Sequence, residues 1–436
     1  QAQPSTHEEL GVDERLALLV DREATYRNNN KVTRLLRVAK LKLQANPEDI
    51  DYRHPRGLQK SQFADLLSSH WIHQSSPDFH PRHTFDFDES FDVIAKEVEL
   101  VQTKVGLTEV NGFNRIEITG ADRHSFLDRM MCGRVQKRDG RVGLGYLLNH
   151  HGMIKAEATV ANIPASDRGP DRVWYGSAAA SEYHDMDWLT SHVRDDEDVQ
   201  FKSLTNDQTI LVLAGPRARD VLSTAARGDW SKAAFPWLSV RECFIGFAPA
   251  TVMAVSFSGE LAYEIHVPNS ALYAAYLALT DAGVEHELGL FGARAVESMR
   301  MEKGFLHWKS DLITEFDPLE TGLDRFVKMD KPDFIGKAAL ENRLRKGVQK
   351  RLVSLEINCD HAPAYGGASL MQGDDVVGTI TSGAWGYRVG KNLAYAFIDP
   401  KLSEIGTCLK LDLLGQLVDA TVCAPSPYDP NFELLR

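Results

Sequence analysis

From about residue 349 to residue 432 the chain is a succession of short segments in which apolar and polar residues alternate. Turn signals at Gly366-Gly367 and Gly373-Asp374-Asp375 separate them. Alternation with a period of two places one side of each segment in a core and the other in water, which is the pattern of strands. Many short antiparallel strands in succession resolve their unpaired edges by closing on themselves. Residues 346–436 are therefore expected to form a small β-barrel.

Upstream the period changes. Phe91 to Val101 has helical spacing, Phe113 to Gly120 alternates like a strand, and Asp122 to Met131 reads as a helix capped by Asp122. Ile210 to Ala214 is a short buried strand running into Gly215-Pro216, where proline suits the first turn of a helix over Arg217 to Leu222. Val252 to Val267 reads as a hairpin turning at Ser258-Gly259, and Phe291 to Lys303 as a helix. Strands and helices are mixed along the chain, so the expected class is α+β, with 91–345 as one folded region ahead of the barrel.

The formal net charge of −12 argues against non-specific nucleic-acid binding by the whole chain. Five widely spaced cysteines, with no CxxC pair, fit neither a disulfide framework nor a zinc site and point to a reducing cytoplasm. No apolar run approaches the roughly 18 residues that span a bilayer, so no membrane association is expected. Gln1 to Glu9 is polar and acidic, unlike a signal peptide, and a start at Gln1 leaves the native first residue outside the sequence as an expectation.

Residues 1–72 read differently. Leu16, Leu19, Val20, Leu35, Leu36, Val38 and Leu41 recur near helical spacing among Arg22, Arg27, Lys31, Arg34, Arg37 and Lys40, which suggests two helices with a basic, solvated face. The stretches Asp13-Glu14-Arg15-Leu16, Thr33-Arg34-Leu35-Leu36 and Asp51-Tyr52-Arg53-His54-Pro55-Arg56-Gly57-Leu58 resemble the N-terminal region of IstB-type transposition helper ATPases. No GxxxxGK[ST] follows, so no backbone cradle for a triphosphate is expected and ATPase activity is not carried over. Residues 73–90 read as a linker. His70, His73, His80 and His83 fall around Pro77 and Pro81, which break any helix that would align them as metal ligands.

Chemistry concentrates in three stretches. In Phe257-Ser258-Gly259-Glu260-Leu261-Ala262-Tyr263-Glu264-Ile265, strand periodicity puts Tyr263, Ile265 and Val267 on one face and Glu264 and His266 on the other. One carboxylate at Glu264 has the acceptor capacity for two adjacent N–H donors of a pterin edge. In Leu147 to Val160, a strand–turn–strand places Glu157 on the second strand, with Tyr146 near the turn. In Gly292 to Gly304, Phe291, Ala295 and Met299 form a buried helical stripe while Arg294 sits in the first turn, where the helix dipole disfavours a cation.

In this order and separation the three stretches resemble the glycine-cleavage T-protein family over roughly residues 85–432. Leu213-Ala214-Gly215-Pro216-Arg217-Ala218, Phe334-Ile335-Gly336-Lys337 and Val377-Gly378-Thr379-Ile380-Thr381-Ser382-Gly383 add to the match. The resemblance implies a three-lobed fold with tetrahydrofolate in a central opening. It implies Glu264 as the grip on the pterin edge, Arg294 as the arginine that orders that carboxylate or the folate, and Glu157 beside the reacting nitrogens. Phe257, Tyr146, Trp385 and Tyr387 are the candidates for contact with the aromatic rings of the ligand.

The sequence departs from that pattern in ways that matter. Glu157 stands where the family commonly has aspartate, and an added methylene can move a reacting carboxylate by more than about 1 Å. Phe257 replaces a tyrosine and Leu261-Ala262 an Asp-Gly pair. With Thr381-Ser382-Gly383-Ala384-Trp385-Gly386-Tyr387, these departures make the chain similar to the folate domain of dimethylglycine and sarcosine dehydrogenases. The resemblance then implies capture of a one-carbon unit, released by oxidation of an N-methyl amine, as 5,10-methylene-tetrahydrofolate. No GxGxxG follows a strand, so the flavin is expected on a separate flavoprotein and neither flavin nor metal in this chain. Two alternatives remain: a tetrahydrofolate-dependent demethylase of a sulfonium or methoxy donor, and a folate-binding protein without turnover.

Overall fold

The computed structural model describes residues 84–435. The expected helical segment at 1–72 and the histidines at 70, 73, 80 and 83 lie outside the described residues.

Helix α1 (Phe91–Thr103) leads into β1 (Gly106–Glu109), β2 (Ile116–Thr119) and α2 (Arg123–Met130), then the hairpin β3 (Val142–Leu148) and β4 (Ile154–Ile163). After β5 (Arg172–Gly176) come α3 (Glu182–Ser191), β6 (Gln200–Ser203), β7 (Gln208–Ala214) and α4 (Ala218–Ala225). A second group follows: β8 (Val240–Ile245), β9 (Ala248–Met253), β10 (Ala262–Pro268), α5 (Leu272–Gly283), β11 (Gly289–Leu290), α6 (Ala293–Lys303) and α7 (Lys337–Lys346). The tail holds β12 (Arg351–Ile357), β13 (Ser369–Gln372), β14 (Asp375–Gly386), β15 (Lys391–Ile398), β16 (Cys408–Leu413) and β17 (Gln416–Cys423).

The tail strands close as a barrel in the order β12-β15-β14-β13-β16-β17, with turns at both expected glycine positions. The other strands form a 6-stranded sheet, β11-β1-β7-β10-β9-β8, and a 5-stranded sheet, β3-β4-β5-β2-β6. Each sheet covers one face with helices. Ile116, Ile118, Ala158, Val160 and Tyr175 pack on Phe126 and Met130 of α2. Leu211, Leu213, Tyr263, Ile265 and Val267 pack on α4 and α5.

The opposite faces turn toward each other over part of their extent, while Val212, Ala214 and Ala262 on that face of the larger sheet pack on α1 and α6. Val142, Ala161, Ile163 and Trp174 of the smaller sheet meet Val240 and Met253 of the larger one. Sheets packed face to face stand about 10 Å apart, and that separation is filled only where side chains meet. The Trp174 ring lies over Gly176, where an added Cβ would come within 2.2 Å of it, and its plane meets the His266 ring across the gap at 4.7 Å.

Asp122 occupies the N-cap position of α2 but does not cap it. Its backbone, at φ −95° and ψ 5°, is not the extended geometry from which a capping side chain reaches back, and its carboxylate instead accepts the Asp198 N–H at 3.0 Å.

Candidate active site

Two carboxylates occupy the facing sides of the two sheets. On β10, the side chains of Tyr263, Ile265 and Val267 are fully buried in the helix-covered core. A one-residue slip would expose all three, at about 1.5–3 kcal/mol each, so the register holds Glu264 and His266 on the opposite face. Glu264 lies between Val212 of β7 and Met253 of β9. On β4 the same alternation buries Ala156, Ala158 and Val160 and puts Glu157, Thr159 and Ala161 on the opposite face, where Ala161 meets the larger sheet and Tyr146, beside Glu157, packs on side chains of residues 306–334. Glu157 is four residues from Ala161, which joins the inter-sheet contact, so it stands about 13 Å farther along the gap.

Glu157 sits directly across the ladder from Tyr146, whose hydroxyl donates to Glu157 Oε1 at 2.7 Å. Protein surrounds the carboxyl, although the residue as a whole keeps some exposed surface. Loss of hydration raises its pKa to about 7, against the Tyr146 hydrogen bond, which pulls it down. Tyr146 itself is buried and pushed well above the ordinary phenol range by burial and by the neighbouring carboxyl, so it stays a donor. Oε2 of Glu157 accepts no hydrogen bond among the described residues and is the atom left for a ligand.

Glu264 is more exposed, at 18% of its side chain, and its oxygens accept no hydrogen bond among the described residues. Its one neighbour in ion-pair range among the described residues is the imidazole of His266, whose Nε2 lies 3.4 Å from Oε2. Both ring nitrogens of the buried His266 lack hydrogen-bond partners, as do Trp174 Nε1 and Arg115 Nε. Buried polar groups left unpaired are costly, so four such atoms around one inter-sheet space mark a place built for polar contact. Arg115 is fully buried, held by the Thr205 carbonyl at 2.9 Å and Asn111 Oδ1 at 3.0 Å, and its charge acts on Glu264. A pterin with adjacent ring-edge donors fits this set: Glu264 offers unused acceptors, and the surrounding nitrogens offer unused polar capacity.

The remaining predicted residues fall elsewhere. Phe257, in the connection between β9 and β10, stacks on Phe305 at 6.1 Å and 12°, and Phe305 continues onto Phe432. Trp385 packs on Phe87 and Phe91 at 5.8 Å each, and Tyr387 on Phe91 at 4.9 Å. Arg294 is 62% exposed and bonds Asp88 Oδ2 at 2.9 Å and Ser90 Oγ at 2.6 Å. These last three residues therefore converge on residues 87–91 at the start of α1, and none makes a direct contact with Glu264 or Glu157.

Arg115, Trp174 and His266 join the cleft without having been singled out as site residues. His266 shares the face of Glu264 by simple alternation. Trp174 also follows from alternation, since Val173 and Tyr175 are the core-facing residues of its strand, whereas Arg115 stands just before β2 and carries no such signal. A lone arginine on a strand otherwise reads as a surface residue. Among the described residues no group of three or more His, Cys, Asp or Glu side chains is arranged to hold a metal ion, and no helix is long and apolar enough to cross a membrane.

Two face-packed sheets with helices outside, a closed barrel behind them and a carboxylate on each inner face define the three-lobed class of aminomethyltransferase folds. The fold matches the glycine cleavage system aminomethyltransferase T from Bartonella henselae with a TM-score of 0.69 at 21% identity, covering 77% of this chain and 90% of that one. Residues 63–331 match the GCVT N-terminal domain and residues 350–429 the glycine cleavage T-protein C-terminal barrel domain. The chain belongs to the glycine-cleavage T-protein family.

Among its curated relatives, rat mitochondrial dimethylglycine dehydrogenase is 32% identical over 355 residues, or 81% of this chain and 41% of that protein. Human mitochondrial sarcosine dehydrogenase is 27% identical, over 80% of this chain and 40% of that protein. The aminomethyltransferase of Bacillus subtilis (strain 168) is 29% identical, over 76% of this chain and 90% of that protein. The chain thus spans about two fifths of the length of the dehydrogenases it matches. Residues 1–77 match the IstB-like ATP binding protein family, in agreement with the resemblance of the first 72 residues.

Proposed function

We propose that this protein is a tetrahydrofolate-dependent one-carbon transferase that captures the carbon released by oxidation of an N-methyl amine, such as dimethylglycine or sarcosine, as 5,10-methylene-tetrahydrofolate. A separate flavoprotein supplies the oxidised donor. The observation that carries the reading is Glu264: a carboxylate whose two oxygens accept no hydrogen bond among the described residues, fixed by strand register on the face of its sheet that meets the other sheet. The similarity to dimethylglycine dehydrogenase over most of this chain supports the choice of donor class.

Tetrahydrofolate brings the nucleophilic nitrogens that take up the carbon. The chain's own part is to bind and to hold charge. Glu264 accepts the pterin-edge N–H groups, with the charge of Arg115 acting on it and His266 Nε2 3.4 Å from its Oε2. Glu157, with a pKa near 7, can hold or release a proton at Oε2 close to neutral pH, which is the range in which a proton-transfer group is most effective. Tyr146 fixes its other oxygen. Phe257 stands beside the strand that carries Glu264, as a wall for the pterin or aminobenzoate ring. Trp385, Tyr387 and Arg294 act at one remove, by anchoring the start of α1.

The test is binding of tetrahydrofolate by titration calorimetry. Removing a charge-assisted acceptor costs about 1.5–3 kcal/mol, so Glu264→Ala should weaken affinity about 10- to 150-fold. Arg294→Ala removes an exposed ion pair and should change it less than about threefold. Equal affinity of wild type and Glu264→Ala would remove the pterin from this strand. Mass spectrometry of the folate product, after incubation with an amine-oxidising flavoprotein and its substrate or with an intact sulfonium or methoxy donor, separates methylene from methyl transfer.

A further inference from the structure

A cavity of about 510 Å³ opens at the other end of the inter-sheet seam, where the start of β3 meets the start of β8. Arg138, Arg141 and Arg241 line it together with Pro164, Phe235 and Ser239. Two of the guanidinium groups are held rigidly, and only by neutral oxygens. Arg141 donates to Ser239 Oγ at 2.8 Å and to the Trp237 carbonyl at 3.0 Å. Arg241 donates to the Asp229 carbonyl at 2.6 Å and the Ala234 carbonyl at 3.0 Å, and its plane lies over the Trp230 and Phe235 rings at 4.9 and 5.0 Å.

Two carboxylates share the lining, Glu242 and Asp139, and neither pairs with the three arginines. Glu242 lines the cavity but is bound by Arg172 at 2.5 Å and by the Ser166 hydroxyl. Asp139 is exposed, and Asp229 acts on Arg241 only at longer range from a fully exposed position. Among the described residues none of the three arginines forms an ion pair. Arg141 is lowered from the ordinary guanidinium range by burial first and by the charge of Arg138 second. Three like charges sharing one concavity repel each other, and a chain with a net charge of −12 has carboxylates to spare for neutralising them. That neither of the two carboxylates in the lining pairs with an arginine of the cavity leaves the neutralising charge to a ligand.

We propose that this cavity is a second ligand site, distinct from the pterin cleft, which takes a multiply charged oxyanion. Planar guanidinium forks pair with phosphate or carboxylate oxygens through two parallel hydrogen bonds, so the ligand class is a phosphate ester or an oligocarboxylate. The volume lies within the range of small-molecule sites and exceeds what one inorganic phosphate fills. The two sites are separate. Ile163 at the cavity is six residues beyond Glu157 on β4, about 20 Å; Glu264 is nearer, two strand spacings or about 10 Å from the cavity-lining Val240, with Met253 between them and Val142 and Ala161 closing the gap from the other sheet. The proposal does not depend on folate being the ligand of the cleft.

Titration calorimetry of the full chain at constant ionic strength, with pyrophosphate in one series and citrate in the other, tests the site and separates the two sources of charge. At least one anion should bind saturably at one per chain. Arg138→Gln, which alters an exposed side chain that holds no other element, should weaken that anion about tenfold. Arg141→Gln combined with Arg241→Gln should abolish binding, with circular dichroism confirming that the protein remains folded. Phosphate selectivity assigns a phosphate ester, and citrate selectivity an oligocarboxylate. No saturable binding of either anion up to about 1 mM, or the same Kd for wild type and Arg138→Gln, overturns the proposal.

Discussion

A Glu157→Gln protein should bind tetrahydrofolate within about threefold of wild type and transfer the one-carbon unit about 10²- to 10⁴-fold more slowly. The amide keeps the shape of the side chain and an oxygen to accept the Tyr146 hydroxyl, so the fold and the pterin contacts at Glu264 are left as they are. What is lost is the ability to carry charge or exchange a proton near neutral pH. In wild type, with the carboxyl at about 7, activity should rise with pH through that value as the ionised form accumulates. Tyr146→Phe removes the donor that favours the ionised form, so it should move the inflection to higher pH. Stability gives an independent reading. Between the ordinary value of 4.5 and about 7 the folded protein keeps a proton that the unfolded chain has released, so the contribution of this group is fully present below 4.5 and declines as pH rises through 7. Urea midpoints at pH 5 and pH 8 should therefore differ less in Glu157→Gln than in wild type. Full turnover by the variant, with an unchanged pH profile, would take Glu157 out of the chemistry.

How much of this cleft is readable from the chain follows the range of the interaction involved. Alternation along β10 is local, and Tyr263, Ile265 and Val267 against Glu264 and His266 is the division the folded strand adopts. The barrel turns at Gly366-Gly367 and Gly373-Asp374 are local as well. Its closure is not, because it pairs the first strand with the last, Leu355 against Val422. The hydrogen bond from Tyr146 to Glu157 depends on hairpin register, which an irregularity between Leu147 and Leu148 shifts. Arg294 shows the limit most clearly. Its place in the first turn of a helix calls for an anionic partner, and it has one, but the partner is Asp88, 206 residues earlier. Nothing in local spacing distinguishes that carboxylate from a ligand. Arg115 fails in the other direction: burial beneath Thr205 and Asn111, not its strand, makes it part of the site.

Arg388→Ala should be the most destabilising single change, by about 3–5 kcal/mol, because it leaves buried carboxylates without their cation. Arg388 comes from the barrel and has no solvent-exposed side-chain surface. It reaches Glu302 of α6 at 2.5 Å, Glu260 of the connection before β10 at 2.7 Å and the Met299 carbonyl at 2.7 Å. Tyr428 stacks beneath its guanidinium at 3.9 Å and donates to the same Glu260 oxygen at 2.8 Å. Burial alone raises the Glu302 carboxyl, and the charge and hydrogen bonds of Arg388 pull it back, so the pair is sustained by mutual neutralisation in a dry setting. Arg388→Lys keeps the charge but loses the fork that serves two carboxylates at once, and should recover only part of the loss. The same contacts tie the barrel to the connection that carries Phe257 and leads into the Glu264 strand. Loosening them should therefore weaken folate binding along with stability, although none of the clamp residues needs to touch the ligand. A urea midpoint for Arg388→Ala within about 1 kcal/mol of wild type would mean that water enters and solvates Glu260 and Glu302, and that sheet packing alone holds the barrel against the cleft.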